Sequence, residues 1–257
     1  MSIFQLKSTI FTLPSLGTAY DLKSIKLING DSVKLRPFVA GDLRTFKSSN
    51  DSYKMYVNFL SKLIVEPEKL NYDDLLLSDV VAILFATRLM SFGPSYGILY
   101  ACESCGERNR EEVDLSAIPV KYANEFSFTP NDLQLELGEY TVTTHLARLK
   151  DEKFLAAQMQ NLKRANLIQD EDLDKSYMRI AILIDTINGE PSTSPMRNFD
   201  FVNNLPIQCI KEYNDAVSEA DSGIVPKIFA SCSSCGFDNE IIVSMGSEFF
   251  RMGSKPS

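Results

Sequence analysis

Four of the five cysteines fall in two short units that read almost alike. Tyr100-Ala101-Cys102-Glu103-Ser104-Cys105-Gly106 lies before the midpoint, and Phe229-Ala230-Ser231-Cys232-Ser233-Ser234-Cys235-Gly236 lies close to the end. A two-residue gap lets both sulfurs of a turn face one ion, and the following glycine permits the positive φ that closes it. A single Cys-x-x-Cys is ambiguous. Two with the same glycine and similar flanks supply the ligands of a split four-cysteine zinc site: Cys102, Cys105, Cys232 and Cys235. A redox pair belongs at the start of a helix inside a βαβ pattern. Here the strand-like tails Glu111-Glu112-Val113-Asp114-Leu115 and Glu240-Ile241-Ile242-Val243 follow instead. Redox or disulfide use and unmetallated thiols stand as the alternatives. Four thiolates leave no open coordination position, so the expected ion is structural Zn2+ rather than a catalytic metal.

Little else in the chain carries chemistry. His145 is the only histidine, which removes most acid–base and triad mechanisms. It follows Thr143 and Thr144 on an alternating stretch and is expected on a surface or half-buried strand. Cys209, just after Pro206, is expected to be a small core residue. There is no P-loop, no Gly-x-Gly-x-x-Gly after a strand, no Gly-x-Ser-x-Gly and no His-Glu-x-x-His. Asp73-Asp74 and Asp170-Glu171-Asp172 sit where helix N-termini are expected and complement the helix dipole. The expectation is a protein without enzymatic activity and without a small-molecule substrate.

The elements around the cysteines must bring two distant turns together, since 126 residues lie between Cys105 and Cys232. A chain of 257 residues, 44% hydrophobic and 23% charged, is long enough for a sizeable core. The N-terminus lacks a basic stretch followed by an apolar run, so no secretory signal is expected. Residues 80–92 form the most apolar stretch, which is too short to span a bilayer. These features and the paired thiols point to a reducing cytoplasm. The net charge is −8, and residues 166–223 carry eleven acidic and four basic side chains. Such a surface repels phosphate backbones, and Arg108 and Arg110 are followed at once by Glu111 and Glu112, so no nucleic-acid partner is expected.

Taken in order, residues 1–22 show no firm period and are expected to form an extended N-terminal arm. Residues 25–35 alternate around Asn29-Gly30, which predicts a hairpin ended by Pro37. A short helix is expected from Asp42, another over 51–64, and a buried central helix over 80–92 stopped by Gly93-Pro94. The first cysteine turn follows the strand Ile98-Leu99-Tyr100. A second strand pair is predicted over 133–137 and 140–146. An amphipathic helix over 150–164 should bury Phe154, Leu155, Met159 and Leu162. A further helix over 172–187 is expected to end at Asn188-Gly189, with residues 190–197 as loop and Pro206 opening the last long helix.

The fold class read this way is α+β. It has two pseudo-repeats of short strands plus helices, joined by a split four-cysteine zinc ribbon. The first αβ repeat covers 23–122 with the first zinc knuckle, and the second covers 123–257 with the second zinc knuckle and a C-terminal tail. Val33-Lys34-Leu35-Arg36 before Asp42 aligns with Val142-Thr143-Thr144-His145 before Asp151, and Asn71-Tyr72-Asp73 aligns with Asn198-Phe199-Asp200. The offset grows along the chain, so the second repeat holds about twenty extra residues.

Val33-Lys34-Leu35-Arg36-Pro37 with Gly41-Asp42 begins a more specific pattern. Leu84-Phe85-Ala86-Thr87-Arg88-Leu89-Met90-Ser91-Phe92-Gly93 continues it, leading through Tyr96-Gly97 to Cys102-x-x-Cys105-Gly106 and Asp114-Leu115-Ser116. In this order the motifs resemble the baseplate protein family of T4-like contractile-tailed bacteriophages, specifically the small baseplate hub subunit. The resemblance covers residues 30–252, including Phe249-Phe250, and leaves out the first 22 residues and the acidic insert. It implies a non-enzymatic virion or assembly protein. Such a protein is assembled in the host cytoplasm, located in the tail baseplate and bound to other baseplate or tail subunits. Zinc rests on the cysteines of this sequence alone. The alternative is a cytoplasmic zinc-ribbon adaptor or regulator of host or phage transcription or replication.

Overall fold

The computed structural model describes residues 7–21, 23, 25–42, 52–124, 129–243 and 247–250. Strand β1 (Thr9–Thr12) pairs antiparallel with β2 (Ser32–Leu35), Thr9 opposite Leu35. The tight turn falls where Asn29-Gly30 predicts it, at φ +53° and +88°. Ile28 and Ser32 exchange backbone hydrogen bonds of 2.8 and 2.9 Å across it. The partner of β2 is nevertheless β1, not the run before the turn. The expected extended arm is therefore paired in a sheet from residue 9 and packed from Leu13, with Leu13, Ala19 and Tyr20 buried. Its lack of period reflects successive turns over 14–20, where Leu16 and Gly17 take φ of +52° and +72°.

Helix α1 (Ser52–Leu63) buries Phe59, Leu60 and Leu63 and runs without a loop into β3 (Ile64–Glu66), which pairs with β2. The helix expected from Asp42 falls on 43–50, outside the described residues. Helix α2 (Leu77–Phe92) is buried as its all-round apolarity predicts, and it ends at Gly93 with φ +76°. Strands β4 (Ser95–Ala101) and β5 (Arg108–Asp114) form the first cysteine hairpin, followed by β6 (Val120–Lys121).

Strands β7 (Leu133–Leu137) and β8 (Tyr140–Thr144) follow, and then α3 (Leu149–Arg164). Leu155, Met159 and Leu162 of α3 are buried as expected, but Phe154 is 43% exposed. Helix α4 (Glu171–Leu183) is capped by the Asp170 carboxylate, which accepts from the Asp172 and Leu173 N–H groups at 3.1 and 3.0 Å. The expected continuation to residue 187 is wrong: β9 (Ile184–Ile187) is a strand beside β8. Asn188-Gly189 is a hairpin turn into β10 (Glu190–Pro191), not a helix cap. Ile184, Thr186 and Ile187 are β-branched, and two successive positive φ values, +52° and +79°, match the hairpin. Helix α5 (Pro195–Asn204), with Ser194 as N-cap, begins inside the loop expected over 190–197 and runs beyond it. Helix α6 (Ile207–Ala220) follows Pro206, β11 (Gly223–Ile224) pairs with β6, and β12 (Lys227–Ser231) with β13 (Asp238–Ile242) makes the second cysteine hairpin.

The molecule is thus a mixed α/β protein with six helices and several small sheets among the described residues. Two apolar cores serve it. Leu13, Val33, Leu60 and Ile83 belong to one, and Val142, Leu155, Met178 and Tyr213 to the other. Phe249 and Phe250, beyond the second hairpin, return to the first core, where Phe249 stacks on Phe85 at 5.8 Å. Buried Arg88 fixes them there. Its Nε donates to the Phe249 carbonyl at 2.9 Å, and its Nη1 and Nη2 donate to the Gly93 and Ser95 carbonyls at 2.7 and 3.0 Å. Arg148 joins the halves from the other side, donating to the Ala19 and Asp74 carbonyls at 3.0 and 2.5 Å.

The same contacts occur twice along the chain. In each half a middle strand lies between an earlier strand and one that emerges directly from a helix. Its register shifts once, between Lys34 and Leu35 and between Thr143 and Thr144. Arg36 N–H donates to the Leu63 carbonyl at 3.0 Å, and His145 N–H to the Leu183 carbonyl at 3.2 Å. The Asp42 carboxylate accepts from Val39 N–H and pairs with Arg36 at 2.7 Å. The Asp151 carboxylate accepts from Arg148 N–H and lies 3.7 Å from His145 Nε2. Asn71 and Asn198 differ: Asn198 is buried and donates to the Ala181 and Ile184 carbonyls, whereas Asn71 is exposed.

His145 Nδ1 also lies 2.9 Å from Asp185. Burial opposes its charge, but Asp151 and Asp185 outweigh burial and push its pKa up to about 9. A raised folded-state value stabilises fully below the unfolded value near 6.5, and that contribution fades as pH rises through 9. His145→Gln is expected to cost about 1 kcal/mol at pH 6, and the gap to wild type should close by pH 10, as read from urea unfolding. Phe249→Ala is expected to cost about 3–5 kcal/mol in the same assay, since it empties a fully buried ring site.

Candidate metal centre

The two cysteine hairpins are built the same way. Cys102 N–H donates to the Glu107 carbonyl and Cys232 N–H to the Phe237 carbonyl, both at 2.8 Å, which extends each ladder into its turn. Gly106 and Gly236 N–H return to the Cys102 and Cys232 carbonyls at 2.8 and 2.9 Å. Both glycines hold the left-handed conformation the sequence implies, at φ +75° and +73°.

All four sulfurs converge, lying within 4.8 Å of one another. Cys102 Sγ is 3.7 Å from Cys235 Sγ, and Cys105 Sγ is 3.7 Å from Cys232 Sγ. A tetrahedral ion with metal–sulfur bonds of about 2.3 Å requires sulfur–sulfur edges of about 3.8 Å, so the set fits zinc in donor type, number and spacing. Cys102 and Cys232 are buried, while Cys105 and Cys235 are exposed. The structure brings together the four cysteines that the sequence singles out. Cys209 lies in the second core, and His145 stands apart between Asp151 and Asp185.

Local donors prepare the buried sulfurs for negative charge. The N–H groups of Cys235 and Ser234 bring the Cys232 thiol down to about 6, against burial and with help from Asn109. At Cys102 burial opposes ionisation, but the Cys105 and Ser104 N–H groups, Cys235 and Asn239 lower the pKa. Cys105 receives the Glu107 N–H, yet the neighbouring sulfurs and burial keep its proton and push it up to about 12. Four sulfurs this close do not all ionise on their own. A divalent cation among them would remove that conflict.

Two residues that the sequence reading passed over complete the site. Asn109 and Asn239 each stand four positions after the second cysteine of their own turn and are buried. Each reaches across to the opposite hairpin. Asn109 Nδ2 lies 3.4 Å from Cys232 Sγ, and its Oδ1 accepts from Ser233 N–H at 3.0 Å. Asn239 Nδ2 lies 3.7 Å from Cys102 Sγ, and its Oδ1 accepts from Glu103 N–H at 2.9 Å. The available signal was the longer match, Cys-x-x-Cys-Gly-x-x-Asn, present in both units.

A family model described as T4 bacteriophage base plate protein matches residues 10–251. The chain belongs to that family. The match begins in β1 and takes in both cysteine hairpins and Phe249-Phe250, so of what the sequence resemblance left out it covers residues 10–22 and the acidic segment. Membership supports a structural role in the phage tail baseplate. Among curated proteins and among solved structures, none matches the chain. No helix among the described residues is long and apolar enough to cross a membrane.

Gly106→Ala and Gly236→Ala are each expected to cost about 1 kcal/mol in unfolding free energy. The strain is purely conformational, because no atom lies within 4 Å of the added carbon. Equal stability of both variants and wild type in urea would contradict this.

Proposed function

We propose that this chain is a structural or assembly subunit of a contractile-tail baseplate whose two halves are stapled by one zinc ion. Cys102, Cys105, Cys232 and Cys235 are its ligands, and the subunit has no catalytic role. The observation that carries the reading is the convergence of four sulfurs, two from each hairpin, at the edge length a zinc tetrahedron requires. Family membership supplies the setting. The twofold recurrence of strand pairing, register shift and capping carboxylate supports two pseudo-repeats, each ending in one zinc knuckle. The first repeat then starts at β1 rather than after a free arm.

A closed four-thiolate site contributes folding energy rather than reactivity. Apparent binding free energies of about 10–16 kcal/mol are typical of zinc-finger peptides, enough to hold distant parts of one chain together. In a baseplate, such a staple makes one stiff unit that presents its surfaces to neighbouring tail subunits as a single body. The hub position rests on the motif order of residues 33–116. Nucleic acid, membrane and small molecules have no part in this reading.

An inventory of intact particles by quantitative mass spectrometry, set beside a gene deletion, tests the assignment. Stoichiometric presence in tails and loss of infective tails on deletion are expected for a permanent subunit. Loss of tails without presence in particles assigns an assembly factor. Complete, infective tails made without the gene would overturn the proposal. In the purified protein, chelation is expected to lower the thermal midpoint by about 10 °C or more, the shift that roughly 4–5 kcal/mol produces in a chain of this size.

A further inference from the structure

We infer that Asn109 and Asn239 are reciprocal positioning residues. Each clamps the opposite hairpin and gives the buried sulfur there its hydrogen-bond donor. The inference deepens the metal reading and rests on it for its spectroscopic test. Its geometric part stands on side-chain contacts alone.

Each amide does two things that no other side chain of its size does together. The Oδ1 atoms accept from the backbone N–H of the residue after the buried cysteine, Ser233 for Asn109 and Glu103 for Asn239. The Nδ2 atoms donate within their own turn, to the Glu107 and Phe237 carbonyls at 3.0 Å, and face the sulfur across the interface. An aspartate keeps the acceptor but sets a carboxylate oxygen against a sulfur that must become a thiolate. An alanine loses both contacts. The requirement is therefore for asparagine, and it occurs at matching places in both units.

The arrangement has two consequences. It locks the hairpins to each other through direct hydrogen bonds, so the sulfurs are held near their final spacing before an ion arrives. It also withdraws charge from the two buried sulfurs, Cys102 and Cys232, while Cys105 and Cys235 face outward. Outer partners of this kind commonly contribute about 10- to 100-fold to metal affinity.

Asn109→Asp and Asn239→Asp, singly and together, test the assignment. Competition with a chromophoric chelator is expected to show about 10- to 100-fold weaker zinc binding for each single variant. In the cobalt(II)-loaded proteins the sulfur-to-metal charge-transfer band should move to lower energy, since a thiolate that loses a donor gives up its electrons more readily. A role confined to folding would leave that band in place. Unchanged affinity together with an unchanged band overturns the inference.

A wild-type protein that takes up neither zinc nor cobalt defeats the metal reading instead. The clamp is then decided in the metal-free protein by mild oxidation with diamide and peptide mapping. Cross-hairpin disulfides between Cys102 and Cys235, or Cys105 and Cys232, are expected in wild type and should fall in the double variant. Equal yields in both, or none in wild type, would refute the clamp.

Discussion

Sulfur atoms contributed by two hairpins far apart in sequence lie within 4.8 Å of one another, and the topology serves that meeting. A long loop closed at one point carries a modest additional entropy cost for its length, so separation in sequence is no barrier once the ends are held. Holding them is the difficulty, because four sulfurs packed together repel as they ionise. Backbone N–H groups and two asparagine amides relieve part of that repulsion, and the proposed divalent cation would relieve the rest. The neighbouring structure is arranged accordingly: the first ribbon follows α2 of the first core, and the second follows α6 and β11, whose Val217, Ala220 and Ile224 also pack on that first core.

The two halves solve one local problem with different chemistry. Where a strand meets the segment after it, a capping carboxylate takes a backbone N–H and a cation: Arg36 with Asp42, and His145 with Asp151. The arginine stays charged at any ordinary pH, but the histidine does not. Arg148 and Arg88 connect the halves in another way. Both are buried guanidinium groups that donate to backbone carbonyls, and Arg88 also faces the rings of Phe92, Tyr96 and Phe249. The segment after the second hairpin is thereby drawn into the first core. The chain is closed at the cysteines and again at Phe249.

Much of this was legible in the residues. Cysteine spacing announced the site, Asn29-Gly30 announced its turn, and residues 80–92 could only be buried. Local rules failed where tertiary partners decided the outcome. Asn188-Gly189 follows a helical pattern and serves equally as a helix end or a hairpin turn, and only β8 beside it selects the strand. The early residues lack a period because they run through turns, yet they bury Leu13 and Tyr20. Phe154 fits the apolar stripe of α3 by spacing and still faces outward. Asn109 and Asn239 were visible only by extending the cysteine match three residues beyond each glycine. Their role depends on which side chain faces which hairpin, and no one-dimensional pattern states that.

Baseplate membership gives this architecture its setting: a structural part of a machine in which shape carries the function. The proposed staple would make one body of two similar halves, and its reality is a matter of coordination chemistry. X-ray absorption at the zinc edge, on protein purified without added metal, is the most direct measurement. The account predicts one zinc per chain with four sulfur neighbours at about 2.3 Å. Absence of metal, or a first shell containing nitrogen or oxygen, would contradict it.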